Sequence, residues 1–280
     1  MHSKDSSCRV KNSVLYSRIM ELALSIVIVL AFLLLLVKIF LFRKKKLPEA
    51  GPLPQIYRSI LAAQVDFYNQ LSRAQQVEFE NRMQSFLTGV KITGVNTPVE
   101  DLDRVLIAAS AIIPIFAFPD WEYPNLNEVL LYPEYFNDSF AQQGPERDTM
   151  GLVGSGPFQN LMILSKKQLR EDFENKTSKG NTAVHEFVHL VDKTDGDIDG
   201  IPESLLSKQY VLPWLNLMHE TIKKIMENRS DINPYGATNE AEFFAVVSEY
   251  FFERPDLLRS QHPELYDLLV TIFKQQPQPR

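Results

Sequence analysis

The chain has 280 residues, 45% of them hydrophobic, enough to bury a sizeable core in one large domain or two small ones. Its formal charge of −6 is unevenly spread: residues 1–46 carry nine Lys/Arg against two acidic residues, and the rest carries 20 basic against 33 acidic residues. An acidic body of this kind argues against direct nucleic-acid binding, which needs a basic face to neutralise phosphate.

After a short N-terminal segment, 1–21, Leu22 to Phe42 reads LALSIVIVLAFLLLLVKIFLF, with Lys38 as its single charge. Twenty-one helical residues at about 1.5 Å each span the roughly 30 Å hydrocarbon core of a bilayer. The run is apolar all round and is followed by RKKK with no small-residue cleavage site, so it predicts one transmembrane helix over 22–42. The dense RKKK cluster favours a single-pass inner-membrane protein whose main body lies in the cytoplasm. Cys8, the sole cysteine, precedes this run, so the body can form no internal disulfide and redox compartment does not decide the orientation.

A basic and Pro-containing linker is expected over 43–64, and a body over 65–280, divided near residue 150. Its first pattern is an amphipathic helix with Ser72 placed to cap the main run. The segment 101–118, interrupted by Pro114, is expected as a core helix running into a strand. EVLLYPEYF predicts a strand ending at Pro133, and LMILS (161–165) a short strand directly before a histidine-bearing helix. Helical patterns return from 201 onward, and Trp121 and Trp214 are candidate core residues. The expected fold class is α+β, mainly helical with a short sheet.

The histidine-bearing stretch is NTAVHEFVHLVDKTDGD, 181–197. On a helix His185 and His189 lie about 40° apart on one face and one turn apart along the axis, where two imidazoles can hold one Zn²⁺. Glu186 then stands beside the first ligand, in reach of a water on the metal, which is the HExxH arrangement of two ligands and a general base. The flanking Ala183, Val184, Phe187, Val188, Leu190 and Val191 mark a helix buried in a core rather than a chance match on a surface.

A catalytic zinc needs a third protein ligand. The metzincin pattern would require glycine at 192 and histidine at 195; both positions are aspartate. His219 and His262 sit at spacings that match no third ligand, and His219 reads as a helix-surface residue. An acidic source is closer at hand in NPYGATNEAEFFAVVSEYFFERP, 233–255, where Glu242 and Glu249 interrupt an apolar helix. Glu242 follows Asn239 by three, so it fits either a ligand or the return partner of a capping box. Tyr235, between Pro234 and Gly236, fits either a phenol over the metal or a loop-packing aromatic. Asp192 fits either an acceptor for a ligand's second ring nitrogen or a solvated helix-end acid, and Glu249 either an outer partner or the mate of a surface cation.

These two segments, AVHEFVHLVDKTDG and NPYGATNEAEFFAVVSEYFFERP, together resemble the Mlc titration factor A family of zinc metallopeptidases, whose zincin-like domain is similar to the catalytic domain of anthrax lethal factor. The resemblance runs from about Phe67 to Phe273, includes LTGVKITGV, IAASAIIPIF and LLYPEYF, and omits the apolar run of 22–42, an addition to a usually soluble, cytosolic family. It implies zinc as cofactor, His185 and His189 as ligands, Glu242 as third ligand, Glu186 as catalytic base and Tyr235 as stabiliser of the transition state. The implied substrate is a peptide or protein, with LMILS as an edge strand to which it could add. A second implied role is a membrane-tethered zinc-binding regulator that captures a protein partner such as a transcriptional repressor without significant proteolysis.

Overall fold

The computed structural model describes residues 28–33, 51–124, 126–137, 142, 149–154 and 160–278. The chain divides into two units, 1–48 and 49–280. Of the first, residues 28–33 are helical and exposed. The rest of the expected membrane span, 22–27 and 34–42, lies outside the described residues, among which no helix is long and apolar enough to cross a membrane.

The second unit is mainly helical with one small sheet. It begins with α1 (Gln55–Gln64), in the stretch expected as linker; this helix instead buries Leu61 completely against the body. After α2 (Asp66–Asn69) comes α3 (Arg73–Gly89), whose start is set by Ser72. The Ser72 hydroxyl accepts from the Gln75 amide and the Gln75 side chain returns to the Ser72 amide, a capping box typically worth about 1 kcal/mol. Burial of Phe79, Met83 and Phe86 holds α3 against α4 (Asp101–Ile112), whose residues from Val105 to Ile112 are all buried.

Beyond Ile112 the chain does not continue into the expected strand. Residues 113–117 form turns, with the Phe118 amide bonded to the Ile115 carbonyl. Pro114 has no amide hydrogen to give a ladder, and the apolar side chains Ile113, Ile115 and Phe116 are buried as turn residues.

The sheet has the order β1-β2-β4-β3, with β1 (Lys91–Gly94), β2 (Glu128–Tyr132) and β4 (Leu161–Ser165) parallel and β3 (Gly151–Val153) antiparallel to β4. LMILS is therefore an inner strand, buried from Met162 onward, and the edge belongs to β3. The continuous burial suits a parallel strand covered on both faces.

From β4 the chain enters α5 (Lys166–Glu174), then α6 (Thr182–Asp192), the histidine-bearing helix, with every residue from Ala183 to Asp192 buried. The last part is α7 (Val211–Met226), a 3₁₀ turn at Pro234–Ala237, α8 (Glu240–Glu253), α9 (Pro255–Gln261) and α10 (Pro263–Phe273). Trp214 of α7 is fully buried and donates to the Gly200 carbonyl at 2.7 Å, whereas Trp121 is half-buried against Tyr123. Phe244 and Phe251 of α8 stack on Phe273 of α10, so α8 is wedged between α6 and the C-terminal helices.

One buried charge ties the start of α4 to α5. Asp103 is 0% exposed and receives Arg170 Nε at 2.8 Å and Lys166 Nζ at 3.3 Å. Removing the carboxylate leaves the half-exposed Glu100 as the carboxylate partner of both cations among the described residues. Asp103→Ala is expected to lower unfolding stability by about 3 kcal/mol, as for other broken buried pairs, measured by denaturant titration.

Candidate metal centre

The centre is assembled by α6 and α8, and both start at an asparagine cap. The Asn181 side chain accepts from the Val184 amide, and the Asn239 side chain accepts from the Glu242 amide. Two more carboxylates bind the first amides of α6: Asp172 accepts from Thr182 N at 2.8 Å and Glu249 from Asn181 N at 2.6 Å. Both sit where the helix N-terminus favours negative charge. Burial pushes the Asp172 carboxyl up to about 6, against the bonds it accepts.

His185 and His189, each 8% exposed, face one another with their Nε2 atoms 3.1 Å apart. Glu242 Oε2 stands 3.0 Å from His185 Nε2 and 3.4 Å from His189 Nε2. On the other side of the His185 ring, Nδ1 meets Glu249 Oε1 at 2.6 Å. A carboxylate can only accept, so it places a proton on Nδ1 and leaves Nε2 as the atom that takes a second proton or a metal. His185 Nε2, His189 Nε2 and Glu242 Oε2 thus converge on one point, where a proton on an imidazole or a metal ion shared by all three can hold them together.

The donor chemistry and spacing fit zinc. Two imidazole nitrogens and one carboxylate oxygen are a common catalytic donor set, and ligands tetrahedrally arranged at about 2.0–2.1 Å would stand about 3.3–3.4 Å from one another. The three side chains form a group of potential metal ligands among the described residues. The two imidazoles are held unequally, because His189 Nδ1 is buried with no hydrogen-bond partner among the described residues. Asp192 does not serve it: the Asp192 carboxylate accepts from the Gly200 amide at 2.8 Å and closes the loop after α6. Gly200 has φ of +76°, and a Cβ there would lie 2.3 Å from the Glu240 carbonyl, so this turn needs glycine.

Local electrostatics follow from burial and charge. Burial alone would lower the His185 imidazole, but Glu249 and Glu242 outweigh it and raise the ring well above the usual histidine range. Burial would raise Glu242, yet bonds to His185 and His189 hold it down at about 2. Glu186, 6% exposed, is pushed up, mainly by burial, against the pull of the two histidines. This carboxyl belongs neither to the donor triangle nor to a salt bridge among the described residues, and it packs against β3. A Cβ on Gly151 would lie 2.6 Å from Glu186 Oε1, so the edge strand reaches the carboxylate only because residue 151 has no side chain.

Tyr235, on the 3₁₀ turn, is 53% exposed with its ring centroid 6.0 Å from that of His185. Burial, then Glu242 and Glu186, push its phenol above the usual range. Glu242 makes no capping-box return; Asn239 caps α8 alone while the Glu242 carboxylate turns to the histidines. His219 and His262 stand outside the donor triangle: His219, on the wall of the same cleft, faces Glu240 at 3.4 Å, and His262 pairs with Asp231 at 2.7 Å. A cleft of about 660 Å³ opens over the centre, bordered by β3, the loop after α6, α7 and Tyr235. Sequence reasoning missed Gly151, which no pattern marks, and Asn181, whose signature was present as a capping residue directly before an apolar helical run.

A family model described as glucose-regulated metallo-peptidase M90 matches residues 40–274. The uncharacterized protein slr2042 of Synechocystis is 31% identical over 249 residues, which cover 84% of this chain and 89% of that protein. Mlc titration factor A of Serratia proteamaculans is 30% identical over 201 residues, 64% of this chain and 74% of the relative. The Escherichia fergusonii protein of the same name is 27% identical over 237 residues, 77% and 85% of the two chains.

The Glu249 contact has a measurable consequence. Glu249→Ala frees the His185 ring and is expected to weaken zinc binding about 10- to 100-fold, with Glu249→Gln losing less because its amide oxygen can still accept. Competition against a chromogenic chelator measures both.

Proposed function

Because the chain belongs to the glucose-regulated metallo-peptidase M90 family, we propose that it is a zinc-dependent peptidase with Glu186 as general base. The observation that carries this reading is the convergence of buried His185 and His189 with half-buried Glu242, beside a separate carboxylate that is unpaired among the described residues, in an open cleft. His185, His189 and Glu242 would hold a zinc ion, which would supply Lewis acidity for a peptide carbonyl and acidify a water. Glu186 accepts the proton of the attacking water and returns it to the departing amine. Its raised proton affinity suits both halves of that transfer. Tyr235 donates its phenolic hydrogen to the oxyanion that develops at the carbonyl carbon.

The substrate backbone is held by β3. Met150 and Gly154 bond to β4 through Ser165 N and Leu161 O, so by antiparallel alternation Leu152 also faces β4 while Gly151 and Val153 point outward. The next outward residue, Thr149, is occupied by Phe136. Among the described residues nothing pairs with the outward N–H and C=O groups of Gly151 and Val153, which are offered to an added strand that would run directly past Glu186.

The relatives' name, Mlc titration factor A, supports a protein partner as a further role. A purely sequestering regulator would have no use for a carboxylate beside an open metal position. The apolar 22–42 run is read as the membrane anchor of this peptidase, and the RKKK after it as placing the body in the cytoplasm.

Glu186→Gln is expected to keep zinc and lose about 10²- to 10⁴-fold in peptide hydrolysis. Tyr235→Phe should keep zinc and KM while kcat falls by about 10²- to 10³-fold. Metal analysis beside steady-state kinetics measures both; full activity in the Gln variant would remove the base. For the anchor, a C-terminal reporter active only in the cytoplasm should report, and a silent reporter beside an active periplasmic one reverses the orientation.

A further inference from the structure

The cleft has a second wall that the chemistry above does not use. It is built from Ile198 and Ile201 on the loop after α6 and from Leu215 on α7. Ile198 is 44% exposed, and Ile201 and Leu215 are half-buried, so three aliphatic side chains from two elements line the cavity without being covered. The loop bearing the two isoleucines is pinned on both sides. Gly200 N bonds to Asp192, which ends α6, and Gly200 O accepts from Trp214, the neighbour of Leu215. The aliphatic wall is thus fixed to the helix that carries His185 and His189, not to a freely moving loop.

The wall is flanked by carboxylates. Asp199 and Glu240 line the same cleft, Glu240 is paired with His219, and neither Lys nor Arg is among the described lining residues. An acidic side chain entering here would meet aliphatic carbon and carboxylates, with His219 already facing Glu240 and no Lys or Arg among the described lining residues to pair it. A bulky apolar side chain would instead cover aliphatic surface now open to water.

We propose that Ile198, Ile201 and Leu215 form the side-chain recess that selects the substrate, a peptide bound along β3 with a large aliphatic or aromatic residue seated there. This rests on the peptidase reading for the identity of the occupant as a substrate. Continuity with the metal centre and with the open backbone groups of Gly151 and Val153 in one cleft is what makes that occupant a peptide. Backbone pairing holds any extended chain; the recess decides which residue stands next to the reacting carbonyl.

The test measures binding separately from turnover. Labelled peptides sharing one neutral frame, with Leu, Phe, Ala, Lys or Glu scanned through each position, are titrated by fluorescence anisotropy against the zinc-loaded full chain carrying Glu186→Gln. At one position Leu and Phe should bind roughly 10- to 100-fold more tightly than Ala, the return expected from burying such a side chain, and Glu should bind most weakly. Adding Ile198→Asp, at a partly exposed loop position, should erase most of the Leu advantage and strengthen the Lys peptide at that position; Leu215→Ala should erase part of it without favouring Lys. Equal binding of Leu, Ala and Glu peptides at every position, no binding by any, or an unchanged ranking in Ile198→Asp with an unchanged melting curve would overturn the recess. If the chain with native Glu186 binds the Leu peptide selectively but never cleaves it, the peptidase reading falls and the recess stands.

Discussion

Two imidazole nitrogens and a carboxylate oxygen within 3.4 Å of one another, beneath an open cleft, need a cation between them. Their lone pairs repel unless a proton or a metal ion is shared, and burial of the two histidines limits the solvent that would otherwise screen them. The surrounding structure is what opposes that repulsion. Glu249 grips the far side of His185, Asn181 and Asn239 fix where α6 and α8 begin, and the packed length of α8 between α6 and α10 keeps Glu242 from withdrawing.

The same elements organise the space above the centre. Edge strand β3 is coupled to α6 through the contact between Gly151 and Glu186, so the groups offered to a peptide and the carboxylate that would act on it are set by one piece of packing. Asp192 and Trp214 hold the loop of Gly200 from opposite sides and so place Ile198 and Ile201 at the cleft. Tyr235 is the exposed member, carried on a 3₁₀ turn that begins with Asn233 capping and Pro234. A half-exposed phenol at the mouth can adjust to a substrate, whereas the buried donors cannot.

Much of this was legible in the sequence because it depends on local pattern. The capping of α3 by Ser72, the strand ending at Pro133 and the apolar flanks of the histidine helix follow from turn chemistry and periodicity. Residues seven apart on a helix return to nearly the same face, which is why Glu242 and Glu249 both meet His185. Which nitrogen each would meet was not legible, since that depends on the depth at which α8 crosses α6. The edge strand was misread for a similar reason: β3 has three residues, and its strand character comes from pairing with β4. Asp192 read equally well as a partner for a histidine or as a helix-end acid; it is buried on the backbone of a loop eight residues on, a contact no periodicity encodes. The helix at 55–64 looked like linker because its prolines precede it, and only burial of Leu61 makes it part of the body.

The central claim is that the repulsion among the three donors is relieved by one zinc ion. Zinc K-edge absorption on the purified full chain tests this most directly, read beside metal stoichiometry. The account predicts one zinc per chain, with two imidazole and one or more oxygen scatterers at about 2.0–2.1 Å, and loss of the imidazole signature when His185 and His189 are both replaced by Ala. A chain that takes up no zinc, or holds it with the same spectrum after both histidines are gone, would contradict it.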